Sequence, residues 1–156
     1  MLKITIIAVG KLKESWWQEA QDEYLRRLTA GAKMTVVEVA AEALHATITE
    51  TQAMREEGVR LLRRLPEAAY VVALERTGRE ISSTELATLL EREGGAGREI
   101  VFVIGGSAGL DEAVLARANK KISLSHLTFV HEMARVILLE QLYRVTTILS
   151  GKPYHR

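Results

Sequence analysis

Apolar and polar positions along the chain change period several times, and those changes predict an ordered series of elements. Leu2 to Val9 is a mostly apolar, β-branched run ending on Gly10, the pattern of a central strand. From Glu14 the spacing turns helical. Trp16, Trp17, Ala20, Tyr24, Leu25 and Leu28 fall mostly on one face, with Lys13, Glu19, Asp22, Glu23, Arg26 and Arg27 on the other. Gly31 suits the stop. Met34 to Ala40 returns to strand composition. Thr47 to Arg64 predicts a second helix, with Ile48, Met54 or Thr51, Val59, Leu62 and Leu65 as its apolar stripe and Pro66 ending it.

Tyr70 to Leu74 reads as a third buried strand that turns at Glu75 to Arg79. Ser82 or Ser83, with Glu85, caps a helix through Leu86, Leu89 and Leu90. Gly94 to Gly97 reads as a flexible connection into a strand at Ile100 to Ile104. Asp111 caps a short helix through Ala118, and Lys121 to Leu124 forms a further short strand. His131 to Leu149 is the longest late helix, with Met133, Val136, Ile137, Leu139 or Glu140, Tyr143 and Thr147 at helical spacing. Strand and helix alternate throughout, which predicts one α/β domain over residues 1–156, a parallel sheet covered on both faces.

Composition narrows the function classes. Hydrophobic residues make up 47% and charged residues 26%, a globular rather than a disordered balance. The 21 basic and 20 acidic residues leave a net charge of +1, so any polyanion must be met by a local patch. Cysteine is absent, which excludes disulfides, a thiolate nucleophile and cysteine-ligated metal. The run Ile4 to Val9 is too short for a signal peptide and is followed by Lys11 and Lys13. No apolar segment approaches the roughly 20 residues of a membrane span. The expectation is a soluble, cytoplasmic protein with no membrane partner.

Candidate chemistry gathers in the last third. The strand at Ile100 to Ile104 empties into Gly105-Gly106-Ser107-Ala108-Gly109, where an open α/β sheet binds ligands. The loop lacks the Gly-Lys-Ser/Thr of a phosphate loop and the spacing of a dinucleotide fingerprint, so a plain turn stands as the alternative. His45, His126, His131 and His155 show no zinc spacing, and no metal site is expected. Arg135 and Arg144, nine apart, do not share one helix face, and solvated surface competes with phosphate contact. The chain closes on Pro153-Tyr154-His155-Arg156, which is either a disposable end or a functional tail. Mixed arginine and aromatic residues suit stacking and backbone contact on RNA.

Several stretches together resemble one family. They are Ile4 to Lys13, Tyr24 to Leu28, Val103 to Leu110, Leu124 to Phe129, Arg135-Val136, Glu140 to Arg144 and the terminal Tyr154-His155-Arg156. In this order, over the whole chain, they look like the bacterial RlmH family of the SPOUT superfamily, ribosomal RNA large-subunit methyltransferases that act on N3 of a pseudouridine. The resemblance implies a SPOUT-type parallel-sheet domain with a C-terminal trefoil knot, and a homodimer. It implies S-adenosyl-L-methionine as cofactor, held at Leu74, Gly105, Gly106 and along Leu124, Ser125, His126, Leu127, Thr128 and Phe129. Glycines let backbone close on a ligand, and Leu74, Leu127 and Phe129 offer an apolar slot.

The tail would complete the active site, across the dimer interface, against large-subunit ribosomal RNA within the ribosome. N3 of the substrate is an imide nitrogen that stays a poor nucleophile until its proton leaves or is strongly hydrogen-bonded. His155 is the expected base, Tyr154 the stacking or bonding partner of the nucleobase, and Arg156, Arg144 and Arg135 the groups that hold phosphate or stabilise developing negative charge. One departure stands out: Val130 occupies the position before His131 where the family usually has proline, which is expected to alter how the last helix meets the cofactor loop. Two rival readings remain, a methyltransferase of another RNA such as tRNA and a non-catalytic ribosome-binding module.

Overall fold

Alternate side chains of the central strands enter two separate cores, and that division organises the chain. In the computed structural model, which describes residues 1–154, the order is β1 (Leu2–Val9), α1 (Ser15–Leu28), β2 (Ala32–Val39), α2 (Glu50–Leu62), β3 (Tyr70–Glu80), α3 (Ser83–Gly95), β4 (Ile100–Ile104), α4 (Glu112–Arg117), β5 (Lys120–Ser123) and α5 (His131–Leu149). The strands form one parallel sheet in the order β2-β1-β4-β3-β5. Parallel neighbours need crossover connections, which the helices supply.

Ile4, Ile6 and Ala8 of β1 and Ile100, Phe102 and Ile104 of β4 face one side. There they pack with Leu28 of α1, Leu86 and Leu90 of α3, and Leu138, Leu139 and Leu142 of α5. Ile7, Val9, Val101 and Val103 face the other side, against Leu61 of α2 and Val114 of α4. Phe102, fully buried at the centre, is the kind of side chain whose truncation to alanine costs about 3–5 kcal/mol.

Four sequence expectations change. The buried face of α2 is Ala53, Glu57, Gly58 and Leu61, while Val59 is exposed. Small residues win because α2 lies close to the start of α4: a Cβ on Gly58 would sit 2.8 Å from that of Asp111. The polar stretch after Leu74 does not turn; β3 runs on to Glu80, shifts register between Leu74 and Arg79, and pairs with β5. Gly78 serves that crossing, since a Cβ there would lie 2.8 Å from the Ile122 nitrogen. Gly94 and Gly95 close α3 instead of forming a flexible link, and Gly94 gives Leu2 the room its side chain occupies.

The fourth change concerns α5. Its buried residues are Arg135, Leu138, Leu139, Leu142, Val145 and Thr147. Of the predicted stripe, Leu139 and Thr147 are buried and Tyr143 packs against the core, whereas Met133 is exposed and Val136 and Ile137 are half-buried on the outer side. The helix carries apolar residues on two faces, so periodicity alone could not choose the inner one. Among the described residues, no helix is long and apolar enough to cross a membrane.

Candidate active site

All strands of a parallel sheet end on one edge, and the chain builds a cleft there. β4 passes directly into the glycine loop. Gly109 N–H donates to the Gly106 carbonyl at 3.1 Å, closing a tight turn, and Gly109 has φ +93°, a conformation that favours glycine. A Cβ on Gly105 would meet the Gly109 carbonyl at 2.8 Å. One on Gly106 would lie 3.0 Å from both carboxylate oxygens of Glu57. The glycines therefore let this loop fold against itself and against α2.

The opposite wall follows β5. Ser123 Oγ donates to the Ser125 carbonyl at 2.9 Å, and Leu127 N–H donates to Ser125 Oγ at 3.0 Å, pinning the stretch that leads to α5. Val130 then takes the N-cap position of α5 with φ −61° and no side-chain cap. That φ is the one a proline ring would impose, so valine keeps the entry geometry expected of proline.

Between the walls lies a cleft of about 800 Å³. Leu74, Gly105, Gly106, Leu124, Ser125, Leu127, Thr128 and Phe129 all line it. His126 does not: its side chain is 90% exposed and turns to Glu80, with Nε2 3.3 Å from the carboxylate. Sequence reasoning missed Glu75, Arg76, His131 and Glu132, which also line the cleft. Their signal was only adjacency, Glu75 and Arg76 following Leu74, and His131 and Glu132 opening the helix after Phe129. A smaller cavity of about 180 Å³ adjoins it, sharing Leu74, Ser123 and Leu124.

The arginines part company. Arg135 is 1% exposed; it donates to Glu38 at 2.8 Å and to the Gly10 carbonyl at 3.0 Å, and its Nε has no partner. It ties α5 to the ends of β1 and β2 and offers no guanidinium face to a phosphate from solvent. Arg144, further along α5, donates to Glu140 at 2.6 Å and to the Tyr154 carbonyl at 3.3 Å. The Glu140 carboxylate holds the Arg144 guanidinium still more firmly in its charged form. Its Cζ lies 5.0 Å from the centre of the Tyr154 ring. The structure thus brings Arg144 and Tyr154 together and leaves Arg135 apart; His155 and Arg156 fall outside the described residues.

Behind the glycine loop sits Glu57, 4% exposed, accepting the Glu42 N–H at 3.0 Å. Burial pushes its carboxyl above the usual carboxylate range, against the opposing pull of that hydrogen bond and of Arg60.

A parallel sheet opening at its carboxyl edge onto a largely apolar, glycine-walled cleft is the architecture of a protein that holds a nucleotide-like ligand. A family model described as "Predicted SPOUT methyltransferase" matches residues 2–155, and the chain belongs to that family of methyltransferases. It is 43% identical over 159 residues to "Ribosomal RNA large subunit methyltransferase H" of Listeria monocytogenes, covering 99% of this chain and 100% of the relative. A putative protein of the same name from Methanoregula boonei is 48% identical over the same length, again covering 99% and 100%. Among solved structures, a probable rRNA-methyltransferase from Porphyromonas gingivalis superposes with a TM-score of 0.51 at 14% identity, covering 95% of this chain and 70% of that one. That likeness bears on the fold alone.

Proposed function

We propose that this methyltransferase acts on large-subunit ribosomal RNA, transferring a methyl group from S-adenosyl-L-methionine to N3 of a pseudouridine in the assembled ribosome. The observation that carries the reading is full-length likeness to proteins named ribosomal RNA large subunit methyltransferase H. The cleft fits the donor. Gly105 and Gly106 present backbone without side chains, and Leu74, Leu124, Leu127 and Phe129 supply apolar walls for an adenine ring. Ser125 and Thr128 add hydroxyls among those walls. When bound, the donor supplies an already activated sulfonium methyl group, so positioning of the two reactants is the main task left to the protein.

The chain's own residues then do the following. His155 takes the N3 proton, Tyr154 packs on the nucleobase, and Arg144 with Arg156 holds phosphate or the negative charge that develops on the base. Arg135 acts indirectly, fixing the N-terminal half of α5 beside the cleft. The His126 side chain turns away to Glu80, so any contact it makes with the adenine comes from its backbone.

Two observations support a homodimer with shared sites. Cleft residues Val130, His131, Glu132 and Ala134 lie at one end of α5, while Tyr154 rests on Tyr143 and Arg144 near the other. Those ends are separated by roughly 15 Å along the helix, far beyond the reach of a methyl transfer. The outer face of α5, with Met133 exposed and Val136 and Ile137 half-buried, offers apolar surface for a second copy. A C-terminal trefoil knot, as the family resemblance implies, is compatible with β5 pairing at the edge beside β3 while α5 packs on the face shared with α1 and α3.

Single-turnover methylation with labelled donor on 70S ribosomes, isolated ribosomal RNA and tRNA tests the function. The expected product is one methylated pseudouridine on ribosomes, lost when residues 154–156 are deleted. Labelling of tRNA instead, or an unchanged rate without the tail, contradicts the reading; no saturable donor site in calorimetry identifies a binding module.

A further inference from the structure

α1 and the tail are joined by a run of rings and guanidinium groups, of which the proposed chemistry uses only Tyr154 and Arg144. Arg27 of α1 has its Cζ 5.6 Å from the centre of the Tyr24 ring and 5.8 Å from that of Tyr143 on α5. Its Nε donates to Glu23 at 2.6 Å, which fixes the guanidinium on the helix surface. The Tyr24 and Tyr143 rings lie 6.4 Å apart, tilted by 52°. Tyr143 then meets Tyr154 edge-on, with 4.8 Å between ring centres. Arg144 closes the series over the far ring and holds the Tyr154 carbonyl.

Tyr24 and Tyr143 pack partly buried against the edge of the main core, but α5 is anchored without them. Leu138, Leu139, Leu142 and Val145 already seal α5 against the sheet with 1% exposure or less. The contacts run outward from that core to the last described residue, and the backbone assists: Lys152 N–H donates to the Thr147 carbonyl at 3.0 Å. Cation–aromatic and edge-on aromatic contacts each contribute modestly, but they fix direction well. We infer that Tyr143 and Arg27 are positioning residues, which seat Tyr154 on α5 and thereby present its ring to a substrate nucleobase in the cleft of a second copy. This rests on the reading that the tail completes the site.

The test compares full-length enzyme, Tyr143→Ala, Tyr143→Phe, Arg27→Ala and a chain ending at Pro153. Each is measured for single-turnover methylation of 70S ribosomes, for the dissociation constant of S-adenosyl-L-methionine by calorimetry, and for thermal midpoint. Misaligned reacting groups cost about 10- to 100-fold in rate, and that loss is expected for Tyr143→Ala with donor affinity unchanged. Tyr143→Phe, which keeps the ring edge, restores the rate, and Arg27→Ala loses a smaller factor. If the shortened chain is inactive while Tyr143→Ala and Arg27→Ala both match wild type, the inference fails and the tail's role survives. If the shortened chain keeps full activity, both fall. A parallel loss of donor affinity and thermal midpoint in Tyr143→Ala also overturns the inference. Should Tyr143→Ala not fold, Arg27→Ala, a change on the helix surface, decides the matter alone.

Discussion

Glu57 shows how much a single residue can contribute to the cleft without lining it. Its carboxylate stands where a side chain on Gly106 would go, one backbone thickness behind the glycine loop. Because the folded pKa lies above the unfolded one, the folded state holds the proton more tightly, and stability falls as pH rises between the two values. Glu42, Arg60 and His131 are the charged or titratable neighbours that act on it. Glu57→Gln keeps an oxygen for the Glu42 N–H and removes the ionisation. The variant should show a higher thermal midpoint than wild type at neutral pH, and the gain should vanish below about pH 4, where the carboxyl is protonated in both states. An equal or lower midpoint at neutral pH would show that the charge is compensated. No sequence pattern marks Glu57, since a glutamate in a helix reads as solvent-facing until tertiary packing is known. The burial of Arg135 was hidden for the same reason: its partners Glu38 and Gly10 lie 97 and 125 positions away.

At the scale of elements, the late helix and the strand before the glycine loop were legible to the residue, as β4 (Ile100–Ile104) and α5 (His131–Leu149) attest. Their signals are local, a β-branched run ending in glycine and a long amphipathic period. What was illegible is which side of α5 turns inward, because both sides are apolar. That ambiguity has a physical consequence, since a second apolar face is surface that a partner can bury. Met133→Asp puts a charge on that outer face without touching Leu138, Leu139 or Leu142. Analytical ultracentrifugation should then find a dimer for wild type and a monomer for the variant. A wild-type monomer, or a variant that stays dimeric, removes this face from the interface. The extension of β3 past Leu74 was hidden differently. A polar stretch with Gly78 signals a turn by composition, whereas here glycine permits two backbones to cross at β5.

For the whole molecule, the cleft and Tyr154 sit toward opposite ends of α5, so under the proposed reading a complete site calls for two chains. The glycine loop was legible because such loops beyond parallel strands have a general meaning, whereas Leu74 and the stretch Leu124 to Phe129 were reached only through the family resemblance; the separation was not legible, because it depends on where α5 lies. Mixing two defective enzymes tests the central claim most directly. One carries Gly105→Val, whose side chain would collide with the Gly109 carbonyl and block the cleft, and keeps its tail. The other lacks residues 154–156 and keeps its cleft. Coexpressed chains pairing at random should recover about a quarter of wild-type methylation on 70S ribosomes, since half the dimers would hold one working site of two. Recovery to that level, from two inactive parents, is the predicted result; a mixture as inactive as its parents would contradict a site shared between subunits.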